Sequence, residues 1–238
     1  MDRIVNRLIC FQITFLAAPL VGCMQTPERT PLRVVAIDPD PGGEHAADAP
    51  LRIVFDGYLD PAMDFDRAVV LTSAEVAFEV AVGYDPTGPA LVVQPPVSLR
   101  PGLGYRLRVD AEVVRGVDGR SLAADHESGF IARPARGRVD TPPIDFEADL
   151  APALAAHCGC HGEEPQAFPP LRPDALINQP ARADPERLLV APGEPLASEL
   201  VLKVLPDYPH VRGLGMPPEG PPLPAAVVRD LVRWIEEI

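Results

Sequence analysis

Five consecutive residues, His157-Cys158-Gly159-Cys160-His161, hold most of the chain's capacity for metal or redox chemistry. Two thiols and two imidazoles in so short a span offer donors suited to zinc or copper. Four ligands this close in sequence seldom close a tetrahedron unaided. Cys158 and Cys160 are equally able to join in a small, strained disulfide ring in an oxidising compartment. Met216 is the only methionine after this motif, and it opens Met216-Pro217-Pro218, where the prolines stiffen the backbone around a soft thioether. His210 reads as a loop histidine. A nucleophile–base pair, a phosphate-cradling loop and a substrate-pocket signature are missing from the sequence, so turnover is not expected.

The elements that must position these residues follow from periodicity. Phe146, Leu150, Leu154 and His157 recur at helical spacing, so one apolar helix face runs into the cysteines. Pro224 suits a first helical turn, and Val227, Leu231, Trp234, Ile235 and Ile238 predict a second amphipathic helix. Between them lies a proline-rich stretch with room for short helices only, such as Pro195–Leu205. Upstream, residues 134–144 form a Pro-, Arg- and Gly-containing linker, stiff at Thr141-Pro142-Pro143.

Residues 32–133 are patterned differently. Short apolar runs at Leu32–Ile37, Leu51–Phe55, Ala68–Thr72, Val76–Val82, Ala90–Gln94, Tyr105–Val109 and Gly129–Ala132 are separated by turn signals such as Asp85-Pro86-Thr87-Gly88-Pro89 and Asp118-Gly119. Tyr105, Leu107 and Val109 alternate with Arg106, Arg108 and Asp110, as a strand with one buried face requires. About seven such strands predict an all-β sandwich. The acidic pair Asp64 and Asp66 suits a solvated loop better than a calcium site.

The N-terminus, residues 1–22, reads as an export signal: Arg3 and Arg7, an apolar run from Leu8 to Val21, then Leu20-Val21-Gly22-Cys23. That run is too short to span a bilayer. The ending resembles the lipidation box of bacterial lipoproteins, which implies cleavage before Cys23, acylation of its thiol, and a tether over residues 23–31. Met24 after the cysteine implies, by the same resemblance, sorting to the outer membrane with the protein facing the periplasm. Cys10 would leave with the signal and Cys23 would carry lipid, so no disulfide framework across the fold is available. The net charge of −13 excludes nucleic acid and anionic headgroups as direct partners.

Two further resemblances cover the rest. Ile37-Asp38-Pro39, Leu51-Arg52-Ile53-Val54-Phe55, Asp60-Pro61-Ala62-Met63-Asp64, Val97–Gly102 with Tyr105, and Gly116–Leu122 with Gly129-Phe130 resemble bacterial Ig-like domains of surface-layer and envelope proteins. Such domains act as spacers or docking surfaces. Cys158-Gly159-Cys160-His161-Gly162, Val190–Pro195 with Ser198-Glu199-Leu200, Met216-Pro217-Pro218 and Leu231–Ile235 resemble the single-haem cytochrome c domain. Together the resemblances imply a multi-domain chain: an all-β Ig-like sandwich followed by a small all-α cytochrome c-like domain over residues 145–238. They imply haem c held through Cys158 and Cys160, with His161 and Met216 as iron ligands, crossed first and last helices packed through Trp234, and a redox protein as partner. The motif is one residue shorter than the usual Cys-x-x-Cys-His. In a helix that turns Cys158 by ~100° from the ordinary position, whereas an extended kink at Gly159 returns both sulfurs to one side; attachment through Cys160 alone is the other route. The contrasting expectation is a non-enzymatic envelope scaffold whose cytochrome-like domain has lost haem.

Overall fold

The computed structural model describes residues 30–74, 76–95, 99–137, 141–159, 169–209, 211–218 and 220–238. Nine strands among them build two sheets: β1 Val34–Asp38, β2 Glu44–Ala46, β3 Leu51–Phe55, β4 Val69–Ser73, β5 Val76–Phe78, β6 Ala81–Asp85, β7 Ala90–Gln94, β8 Gly104–Val109 and β9 His126–Arg133. One sheet runs β1-β3-β7-β6 and the other β2-β9-β8-β4-β5. Alternation sets their faces. Leu51, Ile53 and Phe55 of β3 and Tyr105, Leu107 and Val109 of β8, in the facing sheet, are buried in one shared core.

Each expected apolar run contributes strand, with two differences. The run Val76–Val82 is two strands rather than one: β5 pairs with β4, whereas β6 pairs with β7 in the opposite sheet. Glu44-His45-Ala46, which falls outside every expected run, pairs in parallel with Ile131-Ala132-Arg133 as β2. The turn over Asp85–Pro89 is tied by its first residue, since Asp85 Oδ1 accepts from Thr87 N at 2.8 Å and Thr87 Oγ1 at 2.6 Å, and Arg52 pairs with the carboxylate at 2.7 Å. Asp66, one of the acidic pair, accepts from Val82 N at 3.1 Å and so fastens the short helix α1 (Phe65–Ala68) to β6.

An ion cluster closes one end of the sandwich. Asp56 accepts from Arg33 N and Arg33 Nε, both at 3.0 Å, while Arg120 reaches Asp56 at 3.2 Å and Asp118 at 2.6 Å. Burial raises the Asp56 carboxyl, but the Arg33 hydrogen bonds and the Arg120 charge outweigh it and hold it below the ordinary aspartate value. A depressed carboxyl stabilises the fold fully above its unfolded-state value of about 3.9, and that contribution disappears as pH falls through the lower folded-state value. The unfolding free energy is therefore expected to drop with acidification below about pH 4, and less steeply in Asp56→Asn. Equal slopes for the two proteins in an acid titration would remove Asp56 from the account.

The expected all-α cytochrome c-like domain is not what residues 145–238 form. The chain as a whole is mostly β-sheet, and the C-terminal part holds a few short helices: α2 Ala151–His157, α3 Pro173–Leu176, α4 Glu199–Val204 and α5 Ala225–Glu237. Between α3 and α4 the chain runs through turns and bends stitched by isolated bridges, Ile177 to Val190, Pro180 to Leu188 and Leu188 to Ser198. Proline is the physical reason. Pro169, Pro170, Pro180, Pro192, Pro206 and Pro209 lie between the helices, each removing a donor and blocking a continuing turn. Nor does the segment stand apart from the sandwich. Tyr58 donates to Pro206 O at 2.6 Å and meets Tyr208 edge-to-face at 5.0 Å. Burial pushes the Tyr58 phenol up to about 12, so this contact stays neutral across ordinary pH.

Candidate functional site

The site begins at a capped helix start. Asp145 accepts from Ala148 N at 2.8 Å, and Asp149 reaches back to accept from Asp145 N at 2.9 Å, a reciprocal cap. A wide π-type turn over Phe146–Leu150 then leads into α2. Phe146, Leu150 and Leu154 are buried, as their spacing predicts. His157 is exposed, contrary to its expected place on that face. Phe146 packs on Trp234 of α5 at 4.7 Å, fixing the first helical segment against the last.

Helix α2 ends at Cys158, whose N donates to Leu154 O at 2.7 Å and whose backbone has left the helix at φ −123°, ψ 38°. Gly159 therefore lies outside the helical register, and the ~100° rotation that holds for a continuing helix does not apply there. Cys158 is half-buried and lines a cavity of about 480 Å³. Its walls are mainly apolar: Leu154 from α2, Leu176 from α3, Leu200 and Val204 from α4, and Met216 from the loop before α5. Two positions singled out by sequence, Cys158 and Met216, thus face one space. Cys160, His161, His210 and Cys23 lie outside the described residues, so the complete ligand set and the lipidation site are not positioned. Among the described residues there is no group of three or more His, Cys, Asp or Glu able to hold a metal. With His157 exposed and Cys158 on the cavity, those two neighbours face different surroundings, which works against a zinc or copper set built on both.

Sequence reasoning did not single out Lys203 or Glu199 as part of the site. Lys203 O accepts from Met216 N at 2.7 Å, and Lys203 Nζ donates to Arg212 O at 2.6 Å and Leu214 O at 3.1 Å. Glu199 lies 3.8 Å from that ammonium, and burial pushes its carboxyl up against the opposing pull of Lys203. The signal available was the i, i+4 spacing of the pair. Ser198, read with Glu199 and Leu200 as part of the cytochrome c resemblance, is fully buried. Its Oγ accepts from Ala191 N and donates to Glu194 O, both at 2.9 Å, which ties the 191–194 loop to the start of α4. Gly193 N in turn donates to Ile235 O at 2.8 Å.

Two other hollows carry less chemistry. A crevice of about 420 Å³ between β6 and α5 is lined by Tyr84, Asp85, Val232 and Glu236, and an open trough of about 690 Å³ crosses β4, β8 and β9. Neither has a cysteine, histidine or methionine among its lining residues.

Two facing sheets around one core make the N-terminal part an Ig-like β-sandwich. No family model matches the chain, and none of the curated proteins matches it. Several solved structures are similar at low identity. A crystal structure of the surface-layer protein SbsC has 14% identity and a TM-score of 0.37, covering 49% of this chain and 16% of that one. PcoC, a methionine-rich copper resistance protein from Escherichia coli, has 14% identity and a TM-score of 0.36, covering 44% of this chain and 100% of that one. Escherichia coli alpha-2-macroglobulin, in a structure spanning domains MG0-NIE-MG1, has 19% identity and a TM-score of 0.35, covering 44% and 32%. The chain spans only 14 to 24% of the length of the surface-layer structures it resembles.

Proposed function

We propose that this chain is an envelope lipoprotein, anchored through Cys23 to the outer membrane on its periplasmic side, that carries one c-type haem for electron transfer to a redox protein partner. The observation that carries the haem reading is the apolar cavity with Cys158 and Met216 both on its walls. Its volume lies within the range of ligand pockets, about 300–1,000 Å³, and its lining suits a flat apolar macrocycle. Cys160, with or without Cys158, would bond the group, and His161 and Met216 would ligate the iron. Bound there, the iron supplies a one-electron couple. The chain's own part is to exclude water through Leu154, Leu176 and Leu200, and to hold the thioether of Met216 at the wall. The anchoring reading is supported by Leu20-Val21-Gly22-Cys23 after an apolar run, and three acyl chains would hold durably where one binds marginally. The reading does not depend on a cytochrome fold.

The test is the visible spectrum and pyridine haemochrome of the mature protein made in a host with haem-c assembly machinery. A covalent haem band that is lost in Cys160→Ala is the expected result. A folded, colourless protein under those conditions would overturn the electron-transfer reading and leave a non-enzymatic envelope scaffold.

A further inference from the structure

Lys203 is the only lysine in the chain, and its placement is specific. Its side chain is 14% exposed, and it meets the segment before α5 at three points: Arg212 O, Leu214 O and, through its own carbonyl, Met216 N. The same segment is also held by an Arg212–Asp184 ion pair at 3.3 Å and by Met216 packing against the C-terminal core. Leu214 is 69% exposed, and Gly213 and Gly215 flank it without side chains. Gly213 sits at φ +83°, a backbone conformation that glycine adopts without strain, and so permits the turn. A lysine ammonium has three donors on a compact charge. Two serve the carbonyls, and the remaining one faces Glu199 at 3.8 Å. The Glu199 side chain is 3% exposed, and its Oε1 has no hydrogen-bond partner. A buried carboxylate so poorly satisfied is costly unless it serves a neighbouring charge. Arg187, Asp184 and Arg212 contribute weaker fields around it.

We propose that Lys203 is the positioning residue for Met216, strapping residues 212–216 against α4 so that Met216 forms part of the cavity wall, with Glu199 as the buried countercharge that keeps the lysine in place. The strap itself is independent of any bound group. Its consequence for an iron ligand rests on the haem reading above.

The experiment compares full-length Lys203→Met, which keeps length and loses every donor, with Glu199→Gln, which keeps shape and loses charge. In the protein without haem, amide exchange at Met216 should speed up by about tenfold in Lys203→Met, the scale of losing charge-assisted bonds. It should rise less in Glu199→Gln, while α5 keeps its protection. Should Lys203→Met lose α5 protection as well, Glu199→Gln becomes the deciding variant. Unchanged Met216 exchange overturns the proposal. In the haem-loaded protein, Lys203→Met should keep its covalent haem while losing the methionine–iron absorption signature and lowering the reduction potential, because methionine ligation raises it. A wild-type potential in that variant despite faster exchange would refute the positioning role. Wild-type protein that takes no haem would overturn the haem reading and leave the exchange result to judge the strap.

Discussion

Trp234→Ala is expected to cost about 3–5 kcal/mol and to melt the C-terminal part of the molecule while the sandwich keeps its protection. The indole is 4% exposed and packs at a tilt on Phe146, with ring centroids 4.7 Å apart, so its loss opens a void between the first and last helical segments. Local collapse cannot refill that void easily. Helix α5 also carries Leu231 and Ile235, both fully buried, and Ile235 O holds the 191–194 loop through Gly193. Losing α5 therefore releases the loop that Ser198 fastens at the start of α4. The sandwich core and the C-terminal core share no buried residue. Amide exchange is the decisive measurement: protection should vanish over Glu199–Val204 and Ala225–Glu237 and persist at Leu91 and Leu107. Equal loss at all four places would show one cooperative unit instead of two cores.

How much of this was legible in sequence depended on whether the responsible contacts were local. Tyr105, Leu107 and Val109 announce β8 because a strand's alternation is written along itself. Nothing local distinguishes β5 from β6, since Val76–Val82 is a single apolar run and only the distant pairing partners, β4 and β7, separate its halves. Strand β2 was invisible for the same reason: Glu44-His45-Ala46 is extended because β9 lies beside it. In the C-terminal part the order of Cys158, Met216 and Trp234 suggested a known arrangement, and Phe146 does pack on Trp234. The order of marker residues nevertheless carries no information about helix length. Proline spacing does, and it left room for short helices only. Cys158 and Met216 were found as chemistry and meet at one cavity. Lys203 was visible only as an unusual residue type with an acidic residue four positions before it, because its carbonyl partners lie beyond its own helix and backbone acceptors leave no mark in sequence.

Leu91→Ala is the corresponding test of the sandwich, with an expected loss of about 2–5 kcal/mol. Leu91 is fully buried on β7, a strand flanked by β3 and β6, and its register partners are Ile53 and Tyr84. Truncation removes packing from the shared core, and neighbours held in two ladders of the same sheet have little freedom to close the gap. Each kilocalorie should lower the melting temperature by about 4–8 °C for a unit of this size. The informative comparison is the double variant with Trp234→Ala. Distant, independent sites add within about 0.3–0.5 kcal/mol, and these two belong to separate cores. The contact that can break additivity is Tyr58, which leaves the sandwich to donate to Pro206 O and pack on Tyr208. Near it, Tyr84 accepts from Leu59 N at 3.0 Å, tying the chain just after Tyr58 to β6 beside Leu91. A coupling above about 1 kcal/mol that disappears in a Tyr58→Ala background would show that the sandwich supports the cavity-bearing part through this tyrosine pair. Simple additivity would show that the two cores are stabilised separately and that the sandwich serves the cavity only by its position in the chain.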